Sequence, residues 1–299
     1  MLIQGASLEQ IRKIGSEENH LKMALEQDGE ILDAIGFHIG HLYEEITPVS
    51  QISVVGKLSI NEWNGHCKPQ LMIEDIGVEE WQLFDWRNMK RMEERLRSLP
   101  EDKRIYIAFR QETLQLLPEQ ERMEVFLVNY ERGDLPSLEG KYAVLLDLPN
   151  SPKGIEQLFF NQPYPERVYT VFFQEETHFF STMPTREYFK WFYGFLLKRK
   201  EFDLNKFGHQ LATHKGWSKD TIEFMAQVFL ELGFVTIDNG LMKLKQDAQK
   251  KDLQASSTYL RKMNQTKLEN DFLYSSYYDL KQWFDQLFFE ERKVKETAN

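Results

Sequence analysis

The stretch Ile52-Ser53-Val54-Val55-Gly56-Lys57-Leu58-Ser59-Ile60-Asn61-Glu62-Trp63-Asn64-Gly65, with the run that follows it at residues 70–78, decides the fold of the N-terminal region. Both runs are rich in apolar and β-branched residues, either alternating with polar ones or continuous, as is typical of strands. The Asn64-Gly65 pair between them is a turn signal, because both residues tolerate the positive φ of a tight turn. We therefore predict strands at residues 52–63 and 70–78.

Three further strand-like runs precede this stretch, at residues 8–14, 20–26 and 31–39, and Gly15-Ser16 and Asp28-Gly29 separate them. Residues 40–46 predict a short helix that ends before Pro48. Five strands with a small helix after the third are the order of an OB-fold, a barrel that often binds oligonucleotides across its strands. Other small barrels share this strand count, so the pattern alone leaves the assignment open.

A charged segment at residues 87–97 separates this barrel from a second region. Strand-like runs there alternate with candidate helices at residues 111–115 and 151–160; the runs are residues 104–109, 123–128, 142–148 and 167–173. The near-continuous apolar character of residues 142–148 suits a strand buried on both faces of a sheet. A small α/β unit is the prediction for this region.

Beyond Met183-Pro184 the hydrophobic period becomes helical. Thr185, Asp203 and Ser218 are each placed to cap a helix, and Gly233 is placed to end the third one. A hairpin follows with Asn239-Gly240 at its turn. Three helices and a hairpin are the order of a winged helix, and residues 256–289 predict two more helices.

The chain is thus predicted to be an α+β multidomain protein. A five-stranded OB-fold barrel occupies residues 1–90, a small α/β unit occupies residues 91–184, and a winged-helix-like and C-terminal helical part occupies residues 185–299. The chain of 299 residues has a net charge of −10, which argues against a protein that coats nucleic acid. Any contact with nucleic acid must therefore be local, through a basic or aromatic groove.

Several further features bound the setting. No apolar run approaches the ~20 residues of a membrane helix, and the N-terminus lacks the pattern of a secretory signal. The single cysteine, Cys67, cannot form an intramolecular disulfide, which fits a reducing compartment. We expect a cytoplasmic protein without membrane contact. Met1 stands directly against the first predicted strand, so we expect the sequence to be part of a longer chain.

Several stretches of the barrel resemble the OB-fold of the RecJ family of exonucleases, in which a strand ending in Asn-Glu-Trp leads to a Pro-Gln-Leu strand. These are residues 32–37, residues 54–65 with Asn61-Glu62-Trp63, and residues 68–75 with Pro69-Gln70-Leu71. Residues 211–218, Ser275-Ser276-Tyr277 and residues 280–284 resemble an additional C-terminal domain found in one branch of that family. Together the resemblance covers nearly the whole chain.

The resemblance implies an enzyme of DNA repair and recombination that digests single-stranded DNA from its 5′ end. In that family two manganese or magnesium ions act in an N-terminal domain marked by an Asp-His-His motif. No two of the seven histidines of this chain are adjacent, so the motif is absent and no catalytic residue is carried over. We expect this chain to have no catalytic activity and no cofactor of its own, and to bind single-stranded DNA. The alternative is a protein-interaction module that recruits a helicase or the single-strand-binding protein.

The barrel offers cations for phosphates and an aromatic ring for base stacking, the combination used by sequence-tolerant single-strand binding. The candidate DNA-binding residues, on or near its central strands, are Lys22, Lys57, Asn61, Trp63, Lys68 and Gln70. The alternative is a Trp63 buried in a core and lysines that are simply solvated. The winged-helix part adds Lys215 and Lys219 as candidates, with Lys206, His214, Trp217, Lys243 and Lys245 near them. Winged helices also serve commonly as protein-interaction modules.

Three other patterns are expected to carry no chemistry. His38, His41 and His66-Cys67 lack the four closely spaced ligands of a zinc site. Residues 146–154 follow a buried strand and precede a helix, where a phosphate could bind, but they lack a glycine-rich fingerprint. Glu74 and Asp75 are adjacent on a strand and so face opposite ways, which prevents them from sharing one metal.

The aromatic residues of the tail are expected to be mostly core, with room for an exposed patch that docks a partner.

Overall fold

Five strands open the fold: β1 (Leu2–Ile14), β2 (His20–Gln27), β3 (Glu30–Gly36), β4 (Gln51–Trp63) and β5 (His66–Val78). They close into a barrel in the order β1-β2-β3-β5-β4, with β4 paired back to β1, and a 3₁₀ turn at Gly40–Glu44 follows β3. Alternate residues of β2, namely Leu21, Met23 and Leu25, point inward and are buried. This strand order is that of an OB-fold, which confirms the prediction.

The computed structural model describes the chain except residues 64, 79, 88, 118, 123, 129–134, 161, 174–182 and 299, and the side chains of residues 63, 116, 120, 121 and 290–298. Two compact units make up the chain. Unit 1 comprises Met1–Pro149, Ile155–Phe173 and Trp283–Asn299, and unit 2 comprises Asn150–Gly154 and Gln174–Gln282. Among the described residues, no helix combines the length and the apolar character needed to cross a membrane.

Strands β4 and β5 continue past the barrel as a two-stranded arm. Within the described residues, β4 pairs with β1 only up to Val55, whereas its pairing with β5 extends to Trp63. A bulge at Val55 and Gly56 marks the point of departure. A Cβ on Gly56 would meet the carbonyl oxygen of Met72 at 2.3 Å, so this close crossing requires glycine.

Unit 1 also holds a second, parallel sheet. Its strands are β6 (Gln82–Asp85), β7 (Arg104–Ala108), β8 (Val125–Leu127), β9 (Tyr142–Leu145) and β10 (Arg167–Thr170), in the order β6-β10-β9-β7-β8. Every residue of β9 is buried, as predicted for a strand covered on both faces. The connections contain α1 (Met92–Ser98), a 3₁₀ turn at Gln111–Leu116, α2 (Glu119–Arg122) and α3 (Pro152–Phe159).

The second sheet begins earlier than the sequence pattern indicated. β6 precedes the charged segment at residues 87–97 and pairs with β10, so that segment lies inside the α/β part and contributes α1. The strand-like run at residues 123–128 is shorter in the structure, as β8, and residue 123 lies outside the described residues. A four-residue strand that follows β5 without a strong turn signal has too little pattern to be recognised.

Gln82 of β6 attaches the second sheet to the barrel within unit 1. Its side chain is buried, and its carbonyl oxygen accepts hydrogen bonds of 3.0 Å from the backbone N–H of Thr47 and from the hydroxyl of Ser50. Its amide donates to the carbonyl oxygen of Glu45 at 3.1 Å. Because Thr47, Ser50 and Gln82 are buried, these hydrogen bonds hold the loop before β4 against β6.

Unit 2 contains α4 (Arg186–Arg199), β11 (Glu201–Asp203), α5 (Leu204–Lys215), α6 (Lys219–Leu232), β12 (Val235–Asp238), β13 (Leu241–Leu244), a 3₁₀ turn at Leu253–Ala255, α7 (Ser257–Phe272) and the start of α8 (Tyr277–Ala298). Thr185, Asp203 and Ser218 cap α4, α5 and α6 as predicted, each accepting a hydrogen bond from a backbone N–H three residues on. β11, which the sequence pattern did not predict, joins the hairpin to complete a three-stranded sheet. The order of elements is that of a winged helix.

Glu231 of α6 ties this winged helix to α7. Its carboxylate accepts hydrogen bonds from the side chains of Thr258, Ser256 and Ser257 and from the backbone N–H of Thr258 at the start of α7. These donors, those of Thr258 first, lower the pKa of Glu231 from its ordinary value near 4.5 to about 2. A carboxylate at a helix N-terminus also interacts favourably with the helix dipole.

We expect Glu231 to make unit 2 acid-sensitive. A depressed folded-state pKa contributes stability that is present above the ordinary value and is lost as the pH falls toward the folded-state value. The difference in melting temperature between the wild type and Glu231→Gln should therefore shrink as the pH is lowered from near 4.5 toward 2. Glu223→Gln, on the same helix and paired with Lys219, is the control. An unchanged difference across this window would contradict the assignment.

Candidate nucleic-acid interface

The outer face of the barrel collects the predicted DNA-binding residues through strand register. Neighbours in paired strands point to the same side of the sheet. The pairs Arg12 with Lys22, Lys22 with Ile35, Ile35 with Met72, and Met72 with Lys57 form one row across the barrel. We define the outer barrel face by this row and by the residues beside it on β4 and β5, namely Gln70, Asn61 and Lys68.

Two of its lysines have acidic partners. The ammonium of Lys22 lies 3.4 Å from Asp33, and that of Lys57 lies 2.7 Å from Glu74. The hydrogen bond between Lys57 and Glu74 raises the pKa of the lysine and lowers that of the carboxyl. The Lys57 pair is exposed, and the Lys22 pair is partly buried. Because exposed ion pairs contribute little free energy, Lys57 can exchange its partner for a phosphate.

The remaining predicted residues lie on or beside the arm. Asn61 pairs with Lys68, and Ser59 pairs with Gln70, so their side chains share the outward side of the arm. Asn61 and Lys68 are exposed, and Lys68 has no ion pair among the residues that the structure describes. Trp63 ends β4 next to the turn, and its side chain lies outside the described residues.

Sequence reasoning missed Arg12. It is exposed and pairs with Lys22 across β1 and β2, at the edge of the outer barrel face. With it, four of the five Lys and Arg residues of the barrel lie on this face, whereas its twelve Asp and Glu residues from 2 to 78 are spread along the chain. The alternation of inward and outward residues along β1 could have shown that Arg12 points outward. The bulge between Leu8 and Gln10 interrupts this alternation, so the sequence does not show which residues of β1 point outward.

The winged-helix candidates lie in different surroundings. Lys219 forms an ion pair of 3.0 Å with Glu223 on α6. Lys215 is half-buried, with its ammonium 4.2 Å from the ring centre of Trp191 and 5.6 Å from that of Trp217. The other candidates, Lys206, His214, Lys243 and Lys245, are exposed. Trp217 is partly buried and packs against the core of unit 2.

Asp147 occupies the place in the second sheet where open α/β sheets bind ligands. It follows β9 next to the end of β7, and neighbouring connections leave these two strands in opposite directions. Its buried carboxylate accepts hydrogen bonds from the backbone N–H groups of Phe109 at 2.7 Å and Arg110 at 3.1 Å, and from the hydroxyl of Thr113. Burial raises the pKa of Asp147 despite these donors. The donors that a ligand would use are therefore engaged by the protein itself.

Glu74, Asp75 and Asp147 do not offer a site for a metal ion. Glu74 is paired with Lys57, an oxygen of Asp75 accepts the backbone N–H of Ile76, and Asp147 is surrounded by donors. Within the described part of the chain, no group of three or more His, Cys, Asp or Glu residues could hold one. The thiol of Cys67 is exposed and donates to Glu62 at 3.4 Å.

The closed barrel with its cationic outer face defines an OB-fold protein, carried together with a parallel α/β sheet and a winged helix. Residues 1–75 match the family described as the RecJ OB domain, and residues 82–284 match the single-strand DNA-specific exonuclease, C-terminal domain. The chain belongs to the RecJ family of single-stranded-DNA-specific exonucleases, of which it is a C-terminal portion.

Relatives found by sequence agree with this assignment. The chain is 43% identical over 300 residues to the single-stranded-DNA-specific exonuclease RecJ of Bacillus subtilis, covering 100% of this chain and 38% of that protein. It is 44% identical over 68 residues to RecJ of Haemophilus influenzae, covering 22% of this chain and 12% of that protein. A crystal structure of RecJ with Mg²⁺ from Thermus thermophilus is 23% identical, covers 62% of this chain and 26% of that one, and has a TM-score of 0.20.

Proposed function

We propose that this chain binds single-stranded DNA on the outer barrel face for a RecJ-type exonuclease that works in DNA repair and recombination in the cytoplasm. The carrying observation is the register that gathers Arg12, Lys22, Lys57 and Lys68 on one side of an otherwise acidic barrel. The chemistry of strand cleavage, with its manganese or magnesium ions, belongs in this proposal to the part of the parent protein outside this chain. The chain spans 38% of the length of its Bacillus subtilis relative.

The arrangement suits a flexible single strand. Ile35 and Met72 lie between the cations and are partly buried, so the face offers apolar surface for bases between charges for phosphates. Gln70 and Asn61 add amide groups that can hydrogen-bond without selecting a sequence. Asp33 and Glu74 reduce the net charge of the face, so we expect weak, sequence-tolerant binding with a modest dependence on salt.

Replacing Lys57 and Lys68 together by alanine should weaken binding of oligothymidine to the full chain by about tenfold at low salt, because each lysine contacts a phosphate. The slope of log K against log salt should fall by about 1.4 for the two contacts. Fluorescence anisotropy of a labelled oligonucleotide measures both quantities.

The matched control is Lys13→Ala. It removes one positive charge from the barrel, where the double variant removes two, and Lys13 pairs with inward-facing Leu21 and forms an ion pair of 3.2 Å with Glu44. Its affinity should stay within about twofold of the wild type. Equal losses in the control and in the double variant would reduce the effect to net charge and remove the support for a specific face.

A partner-docking role is the second candidate. Tyr274 and Tyr278, near the start of α8, are 46% and 66% exposed. Exposed aromatic side chains such as these favour a contact with a partner protein, here a helicase or the single-strand-binding protein. Deleting residues 255–299 would not test this, because Phe284 and Phe288 are part of the core of unit 1. Tyr278→Ala in the full chain is the sharper variant. Undiminished capture of both purified partners would argue against docking at this site.

A further inference from the structure

Helix α4 of unit 2 presents aromatic side chains on two sides. Its inward stripe, Phe189, Phe192 and Leu196, is buried in the core. A second stripe at helical spacing is formed by Tyr188, Trp191 and Phe195, of which Trp191 is 37% exposed. Trp217, from the turn between α5 and α6, lies against this second stripe. We define the aromatic face of unit 2 by these last four side chains.

The four rings form a continuous series. Tyr188 stacks on Trp217 with ring centres 4.5 Å apart and 26° between the planes. The rings of Trp217 and Trp191 are nearly perpendicular, and their centres lie 5.4 Å apart. Trp191 in turn stacks on Phe195, with ring centres 5.5 Å apart and 17° between the planes. Mutual contact restricts the orientation of each ring, so Trp191, with Phe195 stacked against it, is held in a fixed orientation.

Cations border the same rings. Lys215 lies over Trp191 at 4.2 Å from the ring centre, and Arg199 lies over Phe195 at 5.3 Å. Lys206 extends the border by lying 5.2 Å from the ring centre of Phe207, which is 39% exposed. In the part of the chain that the structure describes, none of these three cations forms an ion pair with a carboxylate.

The segment that carries this face is basic within an acidic chain. Residues 185–219 have a net charge of +5, whereas the whole chain has −10. The segment contains eight Lys and Arg residues, at 186, 190, 198, 199, 200, 206, 215 and 219, against three Asp and Glu residues at 187, 201 and 203. The positive charge of this segment therefore favours a polyanion at this surface.

We propose that the aromatic face of unit 2 is a second binding site for single-stranded nucleic acid, in which the ammonium of Lys215 moves from the ring of Trp191 to a phosphate, an unpaired base stacks on the part of the ring that it leaves, and Arg199 binds a further phosphate. Stacking platforms bordered by cations bind single strands because every unpaired base exposes a π-face. In a duplex those faces are covered by neighbouring base pairs, so the flat ring selects single strands. The inference extends the proposed function, but it rests on residues of unit 2 alone.

The test uses the full chain and oligothymidine at low salt. Trp191→Ala should raise the dissociation constant about fivefold or more through the loss of one stacked base. Lys215→Gln leaves all four rings in place and should lower the slope of log K against log salt by about 0.7. Lys190→Gln is the control, because this lysine of α4 pairs with Glu187 at 2.6 Å. Its affinity should change by less than about twofold.

Ultraviolet crosslinking of a 5-bromodeoxyuridine oligonucleotide, mapped by mass spectrometry, separates the two sites. Crosslinks at Trp191 or Tyr188 that persist in the Lys57→Ala, Lys68→Ala variant support this inference even if the barrel proposal fails. Crosslinks confined to the barrel, with unchanged binding by Trp191→Ala and Lys215→Gln, overturn it while the barrel proposal stands. An equal or higher affinity for duplex DNA would also overturn the single-strand assignment.

Discussion

Replacing Phe284 by alanine is expected to lower the free energy of unfolding of unit 1 by about 3–5 kcal/mol, the range for removing a fully buried phenylalanine. Phe284 of α8 is 0% exposed. Its ring centre lies 6.0 Å from those of both Trp81 and Phe159, and Phe288 packs into the same cluster. Alanine cannot make these contacts and leaves a cavity in their place. The surrounding rings can fill that cavity only by losing contacts of their own.

Phe289→Ala is the matched control for this prediction. The two residues are adjacent on α8 and chemically identical, but Phe289 is 58% exposed. We expect its replacement to change stability by about 0.5 kcal/mol or less, as is usual for surface positions. Urea denaturation followed by tryptophan fluorescence measures both variants. Similar losses in the two variants would mean that α8 does not pack onto unit 1 through Phe284.

Replacing Asp147 by alanine is expected to cost about 2–4 kcal/mol, because the variant leaves buried donors without an acceptor. The affected donors are the backbone N–H groups of Phe109 and Arg110 and the hydroxyl of Thr113, which is itself buried. Water cannot replace the carboxylate readily at a site that is 0% exposed. The same urea denaturation measures the loss.

Asp147→Asn tests the electrostatic part of this site. Since burial raises the folded-state pKa of Asp147, its contribution to stability is fully present below the ordinary pKa and declines as the pH rises through the raised value. Asparagine does not titrate. The stability advantage of the wild type over Asp147→Asn should therefore decrease as the pH rises above the ordinary pKa near 3.8. An advantage that grows over this range would show that the hydrogen bonds outweigh burial.

The helical part of the protein was largely predictable because its signals are local. Thr185, Asp203 and Ser218 cap their helices through hydrogen bonds that span only three residues. The turn at Asn239-Gly240 has positive φ at both residues, 48° and 82°, as a tight hairpin requires. Strands β6 and β11 were missed because each is three or four residues long and exists only through its pairing with distant strands.

The DNA-binding candidates were predicted as residues but not as an arrangement. Lys57 was foreseen as a cation, yet its pairing with Glu74 depends on the register across the bulge at Gly56. The helical period beyond Met183-Pro184 predicted α4, but it did not separate the inward stripe of this helix from the aromatic face of unit 2. The two stripes of α4 are told apart by Trp217, which contacts Tyr188 and Trp191 of the second stripe. Trp217 comes from the turn between α5 and α6, so the spacing within α4 does not reveal this contact.

Short-range patterns in the chain were enough to predict the OB-fold order, the winged helix and the helix caps, because each depends on residue types at close spacing. The RecJ family was indicated by the resemblance of whole stretches such as residues 54–65. The surfaces required the folded protein. Strand register brings Arg12 next to Lys22 and Lys57 into the same row, and helix packing sets Lys215 over Trp191. A surface is defined by which side chains point the same way from separate elements, and spacing along a sequence does not contain that information.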